Sequence, residues 1–61
     1  MPKPEYYQIV LFYEGHWNGV MECCSTEAEA EKRSAYYNDT YRPDDKRYKF
    51  APEAVYSLPS L

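Results

Sequence analysis

Few groups in this sequence could do chemistry: two adjacent thiols at Cys23-Cys24, one histidine at His16, and carboxylates at Glu27, Glu29, Glu31 and Asp44-Asp45. A thiol nucleophile needs a base within hydrogen-bond reach, and His16 is the one imidazole on offer. A structural zinc site needs about four ligands; two cysteines without Cys-x-x-Cys spacing and one histidine do not supply them. A disulfide between chain neighbours demands strained geometry. Small buried apolar side chains are the simpler account of both cysteines. The three glutamates suit the positive end of a helix dipole, and the two aspartates suit a turn. Neither glycine belongs to a phosphate-cradling loop. These residues imply no catalytic group, no cofactor and no metal, and the chain is expected not to be an enzyme.

A different chemistry is open to Arg42, Lys46, Arg47, Tyr48, Lys49 and Phe50. Alternating basic and aromatic residues on a strand can line a groove for single-stranded nucleic acid, with bases stacked on rings. Arg47, Tyr48 and Lys49 are the candidate contacts, with Trp17 as a further ring. Against this, the net charge is −3, and general phosphate binding calls for a basic face. The same alternation also describes an edge strand that keeps its rings in the core and its charges in water.

The positioning elements follow from composition and pattern. Sixty-one residues make one domain, and hydrophobic residues are 44% of the chain, eight of them Tyr. The core must be built largely of rings whose hydroxyls need partners. A chain this short buries only about 60% of its unfolded surface. Two cysteines are too few for a disulfide framework, which favours self-association or a partner protein. Residues 1–4 form a short arm, since Pro2 and Pro4 cannot donate to a ladder.

Glu5 to Tyr13, "EYYQIVLFY", has strand composition. One face carries Tyr7, Ile9, Leu11 and Tyr13, the other Tyr6, Gln8, Val10 and Phe12. A strand covered on one side alternates apolar with polar; this one does not. The hairpin turn falls at Glu14-Gly15 or at Asn18-Gly19. The first is favoured because it sets Trp17 opposite Phe12, an aromatic cross-strand pair, and Val20 opposite Ile9. Gly19 then lies inside the second strand and marks a bulge or a close approach. The hairpin occupies 5–25.

Thr26-Glu27-Ala28-Glu29 fits a capping box and opens a helix over 26–42, ended by Pro43. Glu29 and Arg33 stand at i,i+4. Ala30, Ser34, Tyr37 and Tyr41 share one helical face. Arg42 to Lys46, "RPDDK", is a turn. Residues 47–57 supply a closing strand with Tyr48 and Phe50 inward, interrupted at Pro52; "EAVYSL" is left as a further short strand or an edge segment, and Pro59 to Leu61 as a frayed end.

The sum is a small α+β, ββαβ fold: an antiparallel sheet with one helix packed on one face. One helix covers one face. The other presents Tyr6, Val10, Phe12, Trp17 and Met21, with Cys23, as an apolar patch of the kind that marks an interaction surface. The element order, carried by "YYQIVLFYEG", "STEAEAEKRSAYYN" and "RYKFAPEAV", resembles small bacteriophage and prophage proteins that bind host proteins, among them a phage inhibitor of host RNA polymerase. The resemblance is one of layout and transfers no residue. It implies a host protein as partner, while the small size and the apolar patch suit either a protein partner or a second copy of the chain, with nucleic acid less favoured at a net charge of −3. No stretch is apolar for long enough to span a membrane, and the start lacks an apolar signal region, so the chain is expected in the cytoplasm.

Overall fold

The pleat of the first strand decides the layering. In a computed structural model that describes residues 3–56, β1 (Tyr6–Tyr13) lies at the centre of a three-stranded antiparallel sheet. It is flanked by β2 (His16–Cys24) and β3 (Tyr48–Val55), in the order β2-β1-β3. A single helix, α1 (Glu27–Thr40), packs on one face. The fold is the expected ββαβ arrangement. Its core joins Ile9, Cys24, Phe50 and Ala30, with Tyr7, Leu11 and Tyr37 packed against them. These β1 residues all come from the odd-numbered face, as the alternation requires.

Glu14-Gly15 forms the hairpin turn. Tyr13 pairs with His16 and Phe12 with Trp17, and both turn residues have positive φ, 51° at Glu14 and 82° at Gly15. That pair of conformations matches the right-handed twist of the strands it joins. The expected register beyond Trp17 is corrected by two irregularities in β2. Leu11 pairs with Gly19 and Val10 with Val20, so Asn18 is an extra residue; Ile9 then pairs with Glu22, so Met21 is another. Val20 therefore stands opposite Val10, not Ile9. A one-residue slip sends a side chain to the other face, and Val20 moves from the helix side to the open side. The second slip restores parity, which puts Cys24 opposite Tyr7 on the helix side. Gly19 marks the first bulge and not a close approach, since no atom lies within 4 Å of where its Cβ would stand.

Thr26 caps α1 by accepting the Glu29 amide at 3.2 Å. Arg33 does not make the expected i,i+4 pair with Glu29. Its Nε donates to Glu22 on β2 at 2.9 Å, because a half-buried carboxylate across the interface is a better partner than a solvated one on the helix surface. This bond holds the Glu22 carboxyl below its usual range and ties α1 to β2. Ala30 and Ser34 are the buried residues of α1. The helix ends at Thr40, two residues short of the expected limit; Tyr41 is its cap and Arg42 takes a positive φ of 45°. Pro43 and Asp44 then turn the chain, closed by the Asp45 amide on the Arg42 carbonyl at 3.0 Å.

Beyond the helix end, rings replace aliphatic packing. Tyr37 stacks on Phe50, Tyr41 meets both Phe50 and Tyr48 edge-on, and Tyr48 packs on Tyr13. Arg42 lies over Tyr48 and Arg47 over Tyr13, which extends the row with cation–π contacts.

β3 runs unbroken through Pro52, contrary to the expected interruption. The Glu14 amide donates to the Arg47 carbonyl, so ladder bonds between β1 and β3 recur at every second residue from there. Pro52, opposite Ile9, falls at the intervening position, where its nitrogen points away from β1 and no ladder bond is lost. Residues 53–55 continue this strand, while the expectation for the chain end at 57–61 lies outside the described residues.

Candidate interaction face

The face opposite α1 is assembled from the even-numbered residues of β1 and their partners. Its central row is Val20, Val10 and Ala51. Toward the hairpin turn come Trp17, Phe12 and Lys49; away from it come Cys23, Gln8 and Glu53. The sequence-predicted residues separate here by exposure. Trp17 is 56% exposed, Met21 41% and Tyr6 37%, while Phe12 is half-buried. Val10 has no exposed surface, although no helix covers it. It is the floor of the patch and not a contact residue. Met21, as the unpaired bulge residue, has no partner on β1. Val20, 42% exposed, belongs to the patch and was missed. The register slip that brings it there left one signal in the sequence, Gly19 inside a strand.

At the turn end of this face, Phe12, Glu14, Gly15, Lys46, Arg47, Lys49 and Ala51 surround a hollow of about 490 Å³. Among the described residues neither Lys46 nor Lys49 has an ion-pair partner, whereas Arg47 grips Asp45. That grip is two-pronged: Nε to Oδ1 at 2.9 Å and Nη2 to Oδ2 at 2.7 Å, with the Arg47 amide also on Oδ1 at 3.0 Å. Charge-assisted bonds of this geometry are strong, and they hold the Asp45 carboxyl down to about 2. At the opposite end of the face Glu53 accepts a bond from Gln8 at 3.1 Å. The face is therefore polarised along its strands, cationic at one end and anionic at the other.

The alternative triad does not converge. Lys49 is on the open face, while Tyr48 is on the helix side, half-buried between Tyr13 and Tyr41. Arg47 precedes the strand and is spent largely on Asp45.

The thiols and the histidine are also separated. His16 sits at the turn, and Cys23 and Cys24 end the same strand. Cys24 is buried and Cys23 exposed; burial, then the nearby Glu29 and Glu22 charges, push the Cys24 thiol up. Among the described residues no group of three or more His, Cys, Asp or Glu could hold a metal ion, and no helix is long and apolar enough to cross a membrane. On the helix side Tyr7, Glu27, Glu31, Pro52 and Ala54 border a smaller hollow of about 250 Å³. Burial and the Glu27 charge raise the Tyr7 hydroxyl pKa, and the hydroxyl donates to Glu27 at 3.5 Å.

No protein-family model, no curated protein and no solved structure matches this chain.

Proposed function

We propose that this chain is a small non-enzymatic protein-interaction module that works through the sheet face opposite α1. The observation that carries this reading is the ring of exposed large apolar side chains, Tyr6, Trp17, Val20 and Met21, around the fully covered Val10. Trp and Tyr offer much contact area for little entropy loss and dominate binding energy at interfaces. A protein with five buried hydrophobic residues among those described gains more from covering such a face than a larger one would. The layout likeness to small phage-encoded proteins that act on a host protein fits the same reading, as does a cytoplasmic setting in which both free thiols stay reduced.

The test is positional. A photo-crosslinking benzoylphenylalanine is placed at Trp17 on the face, or at Lys32 on the exposed side of α1, in cells that express the chain. Protein adducts, whether to itself or to another protein, should form from position 17 and not from position 32. Equal yields from both, or none from position 17, end the reading.

A second reading draws on the hollow that gathers Phe12, Lys46, Arg47 and Lys49: single-stranded nucleic acid with one base on Phe12 and phosphates on the lysines. It requires a salt-sensitive shift of a labelled oligothymidine that is lost in an Arg47→Glu/Lys49→Glu variant. Absence of any shift at low salt removes it.

A further inference from the structure

We infer that the occupant of this face is a second copy of the chain, packed face to face about a twofold axis that runs across the strands through the Val20–Val10–Ala51 row. The inference rests on the reading of the open face as an interface and adds the partner and its orientation.

The argument is one of charge and size along β3. Lys49, Ala51 and Glu53 follow one another on the open face, opposite Phe12, Val10 and Gln8. A cation, a small residue and an anion stand two residues apart, with the smallest side chain at the centre. Rotation about an axis across the strands reverses strand direction but keeps β3 over β3 and β1 over β1. It sets Lys49 of each copy against Glu53 of the other, twice per dimer. It also lays Ala51 on Ala51 and Val20 on Val20, above the covered Val10, where two sheets can approach to the usual spacing of about 10 Å. Trp17 then covers the neighbour's Cys23. An axis along the strands would instead lay β3 over the neighbour's β2, setting Lys49 over Trp17 and Glu53 over Cys23, with no opposite-charge pair across the interface. The hollow at the turn end supports the same arrangement, because Lys46 lies beside Lys49 and adds positive charge where the neighbour's Glu53 arrives. Closed twofold pairs are the commonest assemblies, and a self-complementary patch is what they require.

The face measures roughly 14 by 26 Å from strand spacing and rise. This is small for a stable interface, so a micromolar dimer is expected and a concentration series is the right measurement. Solution mass is followed by sedimentation for the full chain and for variants whose folding is checked by circular dichroism. Lys49→Glu and Glu53→Lys should each weaken the dimer at least about tenfold, because each sets like charges together. The double variant Lys49→Glu/Glu53→Lys should recover most of the loss, since the exchange restores both cross-dimer pairs.

A chain that stays monomeric into the millimolar range overturns the inference and leaves the interaction face to its own cross-linking test. If Val20→Asp and Trp17→Ser dissociate the dimer but the double charge variant does not recover, the face is an interface and the strand-reversed twofold is wrong. A dimer that ignores all of these substitutions overturns the twofold and the interaction face together. An acidic partner protein on the same face would be weakened by Lys49→Glu and not rescued by Glu53→Lys.

Discussion

The side chain of Asn38 and the backbone of Phe50 exchange two hydrogen bonds: Nδ2 donates to the Phe50 carbonyl at 3.0 Å, and the Phe50 amide donates to Oδ1 at 2.8 Å. A side-chain amide thus pairs with the strand as another strand would. Phe50 faces Leu11 at a position where its amide and carbonyl point away from β1, so this pairing satisfies the outer edge of β3. Pro52 has no amide to offer, and the Tyr48 amide reaches the Asp45 carbonyl. The β3 edge is blunted at Tyr48, Phe50 and Pro52, which disfavours strand addition there.

Asn38→Ala removes both bonds and should destabilise the fold by about 1–3 kcal/mol. Asn38→Asp keeps the acceptor for the Phe50 amide and loses the donor, so it should fall between. Urea unfolding gives the energies, and hydrogen exchange at the Phe50 amide locates the loss. An unchanged exchange rate in Asn38→Ala would show that the amide is protected by other means.

The hairpin turn gives a prediction of the opposite sign. Glu14 holds φ at 51° where Asn or Gly is favoured, and it is exposed. Glu14→Asn should raise stability by about 0.5–1 kcal/mol. Gly15→Ala should cost on the order of 1 kcal/mol, all of it backbone strain, since no atom lies within 4 Å of the added methyl. Gly19→Ala meets no such strain and should be neutral or stabilising. Thermal unfolding of the three variants separates these effects, and a penalty for Gly19→Ala equal to that for Gly15→Ala would contradict the turn assignment.

What was legible in the sequence was local. The Thr26 cap depends on four consecutive residues, and the two faces of β1 on a period of two. The choice of turn rested on one aromatic pair, Phe12 with Trp17. The register beyond it was not legible, because a bulge adds one residue without changing the apolar pattern, so Val20 was assigned to the wrong face. The strand through Pro52 and the Asn38 bridge escaped for a related reason. Both depend on which way the β3 amides point, and that is set by pairing with β1 some forty residues earlier. Of the candidate contacts, exposed Tyr6, Trp17 and Met21 followed from pattern, while the burial of Val10 depends on the three strands lying side by side.

The Asp45–Arg47 clamp makes a pH prediction. Hydrogen bonds from the Arg47 guanidinium, then from its amide, lower the Asp45 pKa to about 2, against an ordinary value of about 3.9 in the unfolded chain. A carboxyl depressed by folding adds stability that is complete above the unfolded value and fades as pH falls toward the folded one. The clamp should therefore contribute fully above about pH 4 and lose its effect between there and about pH 2. Arg47→Gln should bring the Asp45 titration, followed by carboxyl NMR, back toward the ordinary range, and the stability difference from the parent should shrink across that window. An Asp45 midpoint already near 4 in the parent would dismiss the clamp.

The adjacent thiols report the register of β2 directly. Cys24 is 5% exposed, in the core beside Ala30, and burial raises its pKa; the reactive species is the thiolate. Cys23, one residue earlier, opens onto the sheet face opposite α1. Iodoacetamide at high dilution should therefore modify the native chain once, at Cys23, and twice in urea, with the site read by mass spectrometry. At protein concentrations where two copies associate, labelling of Cys23 should slow, because Trp17 of the neighbour lies over it. Modification of Cys24 in preference to Cys23 would mean that only one of the two β2 bulges exists, since a single slip exchanges the faces of the two cysteines.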